Sequence, residues 1–360
     1  MLTVLVPTKN RAPFLTRLCS YYGGRDFNHK LLIVDSSEPN HAGENRRALE
    51  LLGGDFNVEY KLYDNDIGFL EKVNAALSLV NTPYAVVGAD DDMFIPAGLS
   101  RSVEFLEANS DYVLAHGDAM TFSLNTSTAW GKLENVWRYE QRTIENPTGV
   151  ERLVNHLVDY STTWYSVHRT EQLRENLLAA TRMVDLLFVE LLPSGLSVIQ
   201  GKAKKLDGLY MLRQSDTAKE YTDTFDPFDW ITTSRWAEQY ESFRDCLAEA
   251  LCLQDKIELD EARAKIKQAF WSYLKKHLGL RWQSNYGHLS AGSQSGWKQA
   301  ARGIPGARRV RDALRRRLKK QEGNVISVAG LLSPASPFHN DFMPVYSALT
   351  TQPAFDSKTT

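Results

Sequence analysis

The chain is poor in the features that mark several large protein classes. Its 360 residues contain three cysteines, Cys19, Cys246 and Cys252. These have no metal-ligand spacing and leave one thiol unpaired, so a reducing compartment is expected rather than a disulfide framework. No run of about 18 apolar residues is present to span a bilayer. Residues 1–6 lack the basic segment and long apolar stretch of a secretory signal, so the expected location is cytoplasmic. A net charge of −2 argues against a nucleic-acid partner. The eight histidines show no paired metal spacing. Gly-x-Gly-x-x-Gly, Walker and Gly-x-Ser-x-Gly motifs are all missing, which removes support for a nicotinamide dehydrogenase or an α/β-hydrolase. No internal repeat is evident.

What is present is an ordinary globular composition, 43% hydrophobic and 24% charged. The length suits one α/β domain with an appended unit. Apolar, β-branched runs at Leu2–Val6, Leu31–Val34, Val58–Tyr63 and Tyr84–Val87 alternate with segments of helical spacing. That alternation predicts a doubly wound, mostly parallel sheet. Residues 118–146 are polar and aromatic without a clear period, which suits a long functional loop on the acceptor side or a β-hairpin insertion. Beyond residue 217 the pattern becomes helical, with a stripe at Trp236, Tyr240, Phe243, Leu247 and Leu251. The expected division is a catalytic domain over 1–217, a helical region over 218–330 and a loosely held tail over 331–360, rich in Ser, Pro and Thr. Residues 302–320 carry nine basic side chains against one Asp, around an apolar stripe of Val310, Leu314 and Leu318. Such a helix can lie on the anionic inner face of a membrane, or dock by its stripe as a solvated helix.

The most informative stretch is Tyr84–Pro96, a buried strand that ends in Asp90, Asp91 and Asp92. Adjacent carboxylates disfavour one another's ionisation, so a cation or a cationic ligand is expected to compensate them. Oxygen ligands at a strand end suit Mg²⁺ or Mn²⁺ shared with ligand phosphates. Other polar signals follow the other strands: Pro7, Thr8, Asn10 and Arg11 after the first, Asp35 after the second, and a loop with Asn65 and Gly68 leading into a helix with Asn74. A segment from Met183 to Leu192 holds two carboxylates, Asp185 and Glu190, and Pro193 is expected to interrupt its helix.

Together these motifs resemble the inverting family 2 glycosyltransferases of the GT-A fold, over roughly residues 2–215. The resemblance implies a sugar transferase using a nucleotide-diphosphate sugar, with a glycan, lipid-linked or protein acceptor in polysaccharide or glycolipid synthesis. It implies donor contacts from Pro7, Thr8, Asn10, Arg11, Asn65, Gly68, Lys72, Asn74 and Asp90, with Asp35 reading the base. Asp90, Asp91 and Asp92 match the DxD element that holds the divalent cation, and the triplet leaves open which of them are ligands. The base that deprotonates the acceptor matches Asp185, near a helix start, or Glu190 five residues on. Arg213 stands where many relatives place a histidine. Arginine cannot ligate a metal, but it can neutralise a diphosphate. Alternative readings are a sugar nucleotidyltransferase, against which the glycine-free Thr8–Ala12 loop speaks, and a non-catalytic nucleotide-sugar scaffold.

Overall fold

The computed structural model describes residues 1–215, 226–290 and 325–353. Its N-terminal half is built from strand–helix repeats: β1 (Leu2–Thr8), α1 (Ala12–Gly23), β2 (Lys30–Asp35), α2 (Pro39–Ala48), β3 (Val58–Leu62), α3 (Phe69–Leu77) and β4 (Tyr84–Val87). β1 and β4 are buried along their whole length. Helices cover both faces of a parallel sheet, so its central strands are apolar throughout instead of alternating. The Thr3 hydroxyl, in the middle of the sheet, is satisfied by Thr82 at 2.8 Å.

β1 pairs in parallel with β2 on one side and β4 on the other, and β2 pairs with β3. The chain therefore steps outward from β1 through β2 to β3, then returns to the opposite side of β1. This reversal opens a crevice beyond the carboxyl ends of β1 and β4, the place where open α/β sheets take ligands.

The sheet continues through β5 (Met93–Phe94), α4 (Pro96–Ala108), β6 (Tyr112–Leu124), β7 (Leu133–Tyr139), α5 (Gly149–Val158), β8 (Val167–Arg169), α6 (Thr170–Ala179), α7 (Leu186–Gln200) and β9 (Lys202–Gln214). β8 lies antiparallel between β4 and β6. β9 runs parallel to β6 and antiparallel to β5. The result is the expected mixed α/β architecture, a mostly parallel sheet with helices. Residues 118–146 form the hairpin of the two readings: β6 and β7 pair antiparallel across a short connection. Pro193 does not break its helix. α7 runs continuously through it, because residues 191–199 are buried and their packing outweighs the roughly 3 kcal/mol cost of an internal proline.

Three further helices follow: α8 (Pro227–Ile231), α9 (Trp236–Asp255) and α10 (Leu259–Ser290). Their apolar faces share one core with α5 and α7, through Phe188, Leu192, Phe243, Leu247, Ile266 and Phe270. Chain segments on either side of residue 217 thus pack together. The basic segment 302–320 lies outside the described residues.

The tail differs from expectation. β10 (Val325–Ile326) pairs with β7, and α11 (Val328–Leu332) and α12 (His339–Thr350) follow it. Phe342, Val345 and Leu349 are fully buried in the same core as Tyr21, Tyr22 and Leu209. Their spacing of three and four is a helical stripe that the surrounding Ser, Pro and Thr residues obscure. Replacing Phe342 with Ala should therefore cost about 3–5 kcal/mol in urea denaturation. A loosely held tail predicts no measurable change.

Candidate functional site

The crevice at the β1/β4 reversal has a volume of about 670 Å³ and is walled by four loops. Pro7 and Thr8 end β1 and Lys9–Arg11 follow it, Ser36 follows β2, Asp66–Phe69 lead into α3, and Val87–Asp91 run out of β4, with Trp164 and Tyr165 on the far side. Asn10 adopts a left-handed conformation, with φ of 54°. Asparagine tolerates that region better than most residues because its short amide bonds locally. Here its backbone N–H donates to Ser37 Oγ at 2.7 Å, while its side chain accepts from the Glu38 N–H at 2.8 Å. The β1 and β2 loops are thereby pinned together.

Lys72 crosses the floor of the crevice from α3. It is buried, and its ammonium donates to the Thr8 carbonyl at 2.8 Å and to Ser36 Oγ at 2.7 Å. Gly68, the N-cap of α3, brings no side-chain cap to the helix. The first-turn N–H groups and Lys72 therefore both bring positive potential to the crevice, which suits an anion.

The aspartate triplet is compensated by arginines. Arg11 Nε sits 2.9 Å from Asp90 and its Nη2 2.6 Å from Asp91. The Thr8 hydroxyl donates to the other Asp90 oxygen at 2.7 Å. Asp92 turns away into the sheet, where Arg213 Nε and the Gln214 N–H donate to its two oxygens at 3.1 and 3.2 Å. Burial pushes Asp90 and Asp92 up to about 7, against the pull of Arg11 and Arg213 respectively. Arg213 is clamped in turn, 4.0 Å from the Tyr165 ring and 4.9 Å from the Tyr139 ring.

A third arginine, which the sequence reading missed, stands behind the triplet. Arg17 is 1% exposed. It donates to the Ala129 carbonyl and Gln214 Oε1 at 2.6 Å each, and to the Asp91 carbonyl at 2.8 Å. Only a forked guanidinium can hold a β6–β7 loop, a strand end and the acidic turn at once. Burial lowers Arg17 to about 10, so it stays charged at neutral pH. The signal was available: Arg17 sits among Leu15, Leu18 and Tyr21 on the buried side of α1.

Several expected residues do not face the crevice. Asp35 is completely buried and accepts from the Ser37 N–H, Asn45 Nδ2 and the Tyr60 hydroxyl at 2.7, 2.7 and 2.5 Å. Three protein donors occupy the carboxylate expected to read a base. Asn74 donates to the Leu70 and Leu177 carbonyls, stitching α3 to α6. Asn65 is exposed on its loop, and its neighbour Asp66 lines the wall instead. Asp185 caps α7: one oxygen accepts from the Leu187 and Phe188 N–H groups, the other from Trp230 Nε1 at 2.8 Å. Glu190 lies behind Trp164, whose Nε1 donates to the Glu190 carbonyl oxygen at 3.4 Å. Its carboxylate accepts from the Tyr160 hydroxyl at 2.9 Å, and burial raises it above the ordinary range.

Whether a divalent cation suits these residues can be judged from the carboxylates. Among the described residues no group of three or more His, Cys, Asp or Glu side chains is arranged to hold a metal ion. Asp92 does not fit, since both its oxygens are spent inside the sheet. Asp91 fits a cation that takes one or two carboxylates and completes its shell with phosphates, and Asp90 would join it only when Arg11 leaves the oxygen that it holds. Asp91 has the most exposed side chain of the three, 13% against 5% and 2%.

Comparison with protein-family models and with curated proteins finds no match. Among solved structures, the chain is similar to S. aureus TarS 1-349 in complex with UDP-GlcNAc. The two are 15% identical, the alignment covers 81% of this chain and 76% of that one, and the TM-score is 0.52. The two chains share a fold. The mannosyltransferase PcManGT from Pyrobaculum calidifontis, in complex with GDP-Man and Mn2+, aligns over 96% of this chain and 84% of its own at 14% identity. Its TM-score of 0.44 is too low to support further argument.

Replacing Arg17 with Met would keep most of its volume but strand two carbonyls and uncover the triplet. Chemical denaturation should show a loss of about 3–5 kcal/mol, as for breaking a buried charge network. A loss below about 1 kcal/mol, the worth of one ordinary hydrogen bond, would show that the three contacts are dispensable.

Proposed function

We propose that the protein is an inverting glycosyltransferase that moves a sugar from a nucleotide-diphosphate donor to a hydroxyl acceptor, with a divalent cation assisting. The carrying observation is the convergence of Lys72, Arg11, the open N-terminus of α3 and the Asp90–Asp91 pair on one crevice at the sheet reversal. A nucleoside diphosphate brings the phosphate charge that this set would receive. The neighbour with bound UDP-GlcNAc supports the same reading. A glycan, lipid-linked or protein acceptor, and a place in polysaccharide or glycolipid synthesis, follow from the resemblance.

In this mechanism Lys72 and the α3 amides hold the diphosphate, and Arg11 is drawn from the carboxylates toward its oxygens. Asp91, with Asp90 once Arg11 has moved, would hold a divalent cation, Mn²⁺ or Mg²⁺, which would offset the charge that develops on the leaving group. Trp164 and Tyr165 close the side from which the acceptor would enter. Of the two carboxylates Glu190 is the better candidate for the base: it lies directly behind the wall residue Trp164, so a shift of that ring would open it to the acceptor, while both oxygens of Asp185 are committed to its cap and to Trp230. Attack opposite the leaving diphosphate inverts the anomeric centre.

Two experiments test this. In a thermal-shift screen of UDP-, GDP- and dTDP-sugars, one donor should raise the midpoint, by about 2.7 kcal/mol of stability at a hundred times its Kd. Mn²⁺ should enlarge the shift, and Asp91→Ala should remove that increment; no shift with any donor contradicts the proposal. For the base, Glu190→Gln should lower kcat by about 10²–10⁴-fold while donor binding is retained. Asp185→Asn should remain active, since Asn caps a helix as well as Asp does. A carboxylate base works only when ionised, so activity should fall with falling pH through a pKa above the usual Glu range. The reverse pattern between the two variants would return the base to Asp185.

A further inference from the structure

We propose that the outer face of α10 is a docking surface for an anionic lipid bilayer. The inner face of this helix is anchored in the protein core by Ala262, Ile266, Phe270 and Tyr273. Eleven residues make about three turns, so Trp271 and Trp282 lie in line on the opposite side, with the half-buried Leu278 between them. Trp271 is 60% exposed and Trp282 50%. Beside Trp282, Phe228 of α8 is 63% exposed and borders the same groove. Large aromatic rings left in water forgo burial energy unless something covers them.

The charges around this stripe identify the cover. Lys267 and Lys275 flank Trp271, one turn before and one turn after it. No Asp or Glu occurs between residues 262 and 290. Three acids on neighbouring elements are paired: Asp159 with Lys276 at 2.6 Å, Asp226 with Arg281 at 3.3 Å and Asp245 with Arg263 at 3.0 Å. Asp229 borders the groove from α8. An indole stripe between lysines matches the lipid–water boundary, where tryptophan settles at headgroup depth and lysine extends to the phosphates. No helix among the described residues is long and apolar enough to cross a membrane, so the contact is peripheral.

The inference stands apart from the sugar-transfer reading, and its test needs no substrate. Full-length protein is sedimented with vesicles of phosphatidylcholine mixed with phosphatidylglycerol, or of phosphatidylcholine alone. Binding to the mixed vesicles is expected, and it should weaken with salt. Trp271→Ser with Trp282→Ser should lower the partition at least about tenfold. Lys267→Gln and Lys275→Gln should each lower it about fivefold. Both sets replace solvent-facing side chains, so an unchanged thermal midpoint confirms that the fold is intact. The proposal is overturned by absence of binding to the mixed vesicles, by equal binding to neutral ones, or by wild-type partition in the tryptophan variant. Self-association that disappears in the tryptophan variant would assign the face to a second copy of the chain and overturn it equally.

Discussion

Three consecutive carboxylates at the end of a buried strand are an electrostatic problem that the surrounding structure has to solve. Unit charges this close repel strongly once water is excluded, and removing a carboxylate from water costs several kcal/mol by itself. The protein answers with three arginines from distant parts of the chain. Arg11 spans Asp90 and Asp91, Arg213 neutralises Asp92, and Arg17 supports the turn from beneath through the Asp91 carbonyl. Each also makes a second contact that fixes a wall of the site. Arg11 lies over Phe14 of α1, Arg213 between Tyr139 and Tyr165, and Arg17 reaches the β6–β7 loop. Balancing the triplet therefore also assembles the crevice.

This balance explains the division of labour within the triplet. Asp92 works for the fold, joining the acidic turn to β9. Asp90 and Asp91 face the crevice, and their counter-ion, Arg11, belongs to a loop that also faces it. A ligand bearing two phosphates adds negative charge to a site whose carboxylates are already matched. Lys72 and the start of α3 are the groups placed to receive that charge, and Arg11 can be shared between carboxylate and phosphate. The separation of a rigid acidic turn from a charged loop is what the proposed chemistry requires.

Much of the fold was legible in the sequence because buried parallel strands are continuous apolar runs and their loops carry polar punctuation. The positions of β1 to β4 and of the loops after them follow from that pattern, whereas the arginines that compensate the triplet do not. What failed had physical causes. Asp35 and Asn74 have the residue types of ligand contacts, but their partners, Tyr60, Asn45 and the Leu177 carbonyl, are distant in sequence, and no local pattern shows them. Asp185 was read as a catalytic group from its place at a helix start, the position at which a carboxylate most often serves as a cap. Pro193 was read as a break because the helices on which α7 packs, α5 and α9, are remote in sequence. The apolar triad of α12 was hidden by the loop-like composition around it.

The central claim is that the arginine-balanced acidic turn is the diphosphate seat. A crystal structure with a nucleotide-diphosphate sugar and Mn²⁺ tests it most directly. The account predicts phosphate oxygens within hydrogen-bond reach of Lys72 Nζ, Arg11 turned toward them, and Asp92 still bound to Arg213. A donor seated elsewhere, with Arg11 still bridging Asp90 and Asp91, would contradict it.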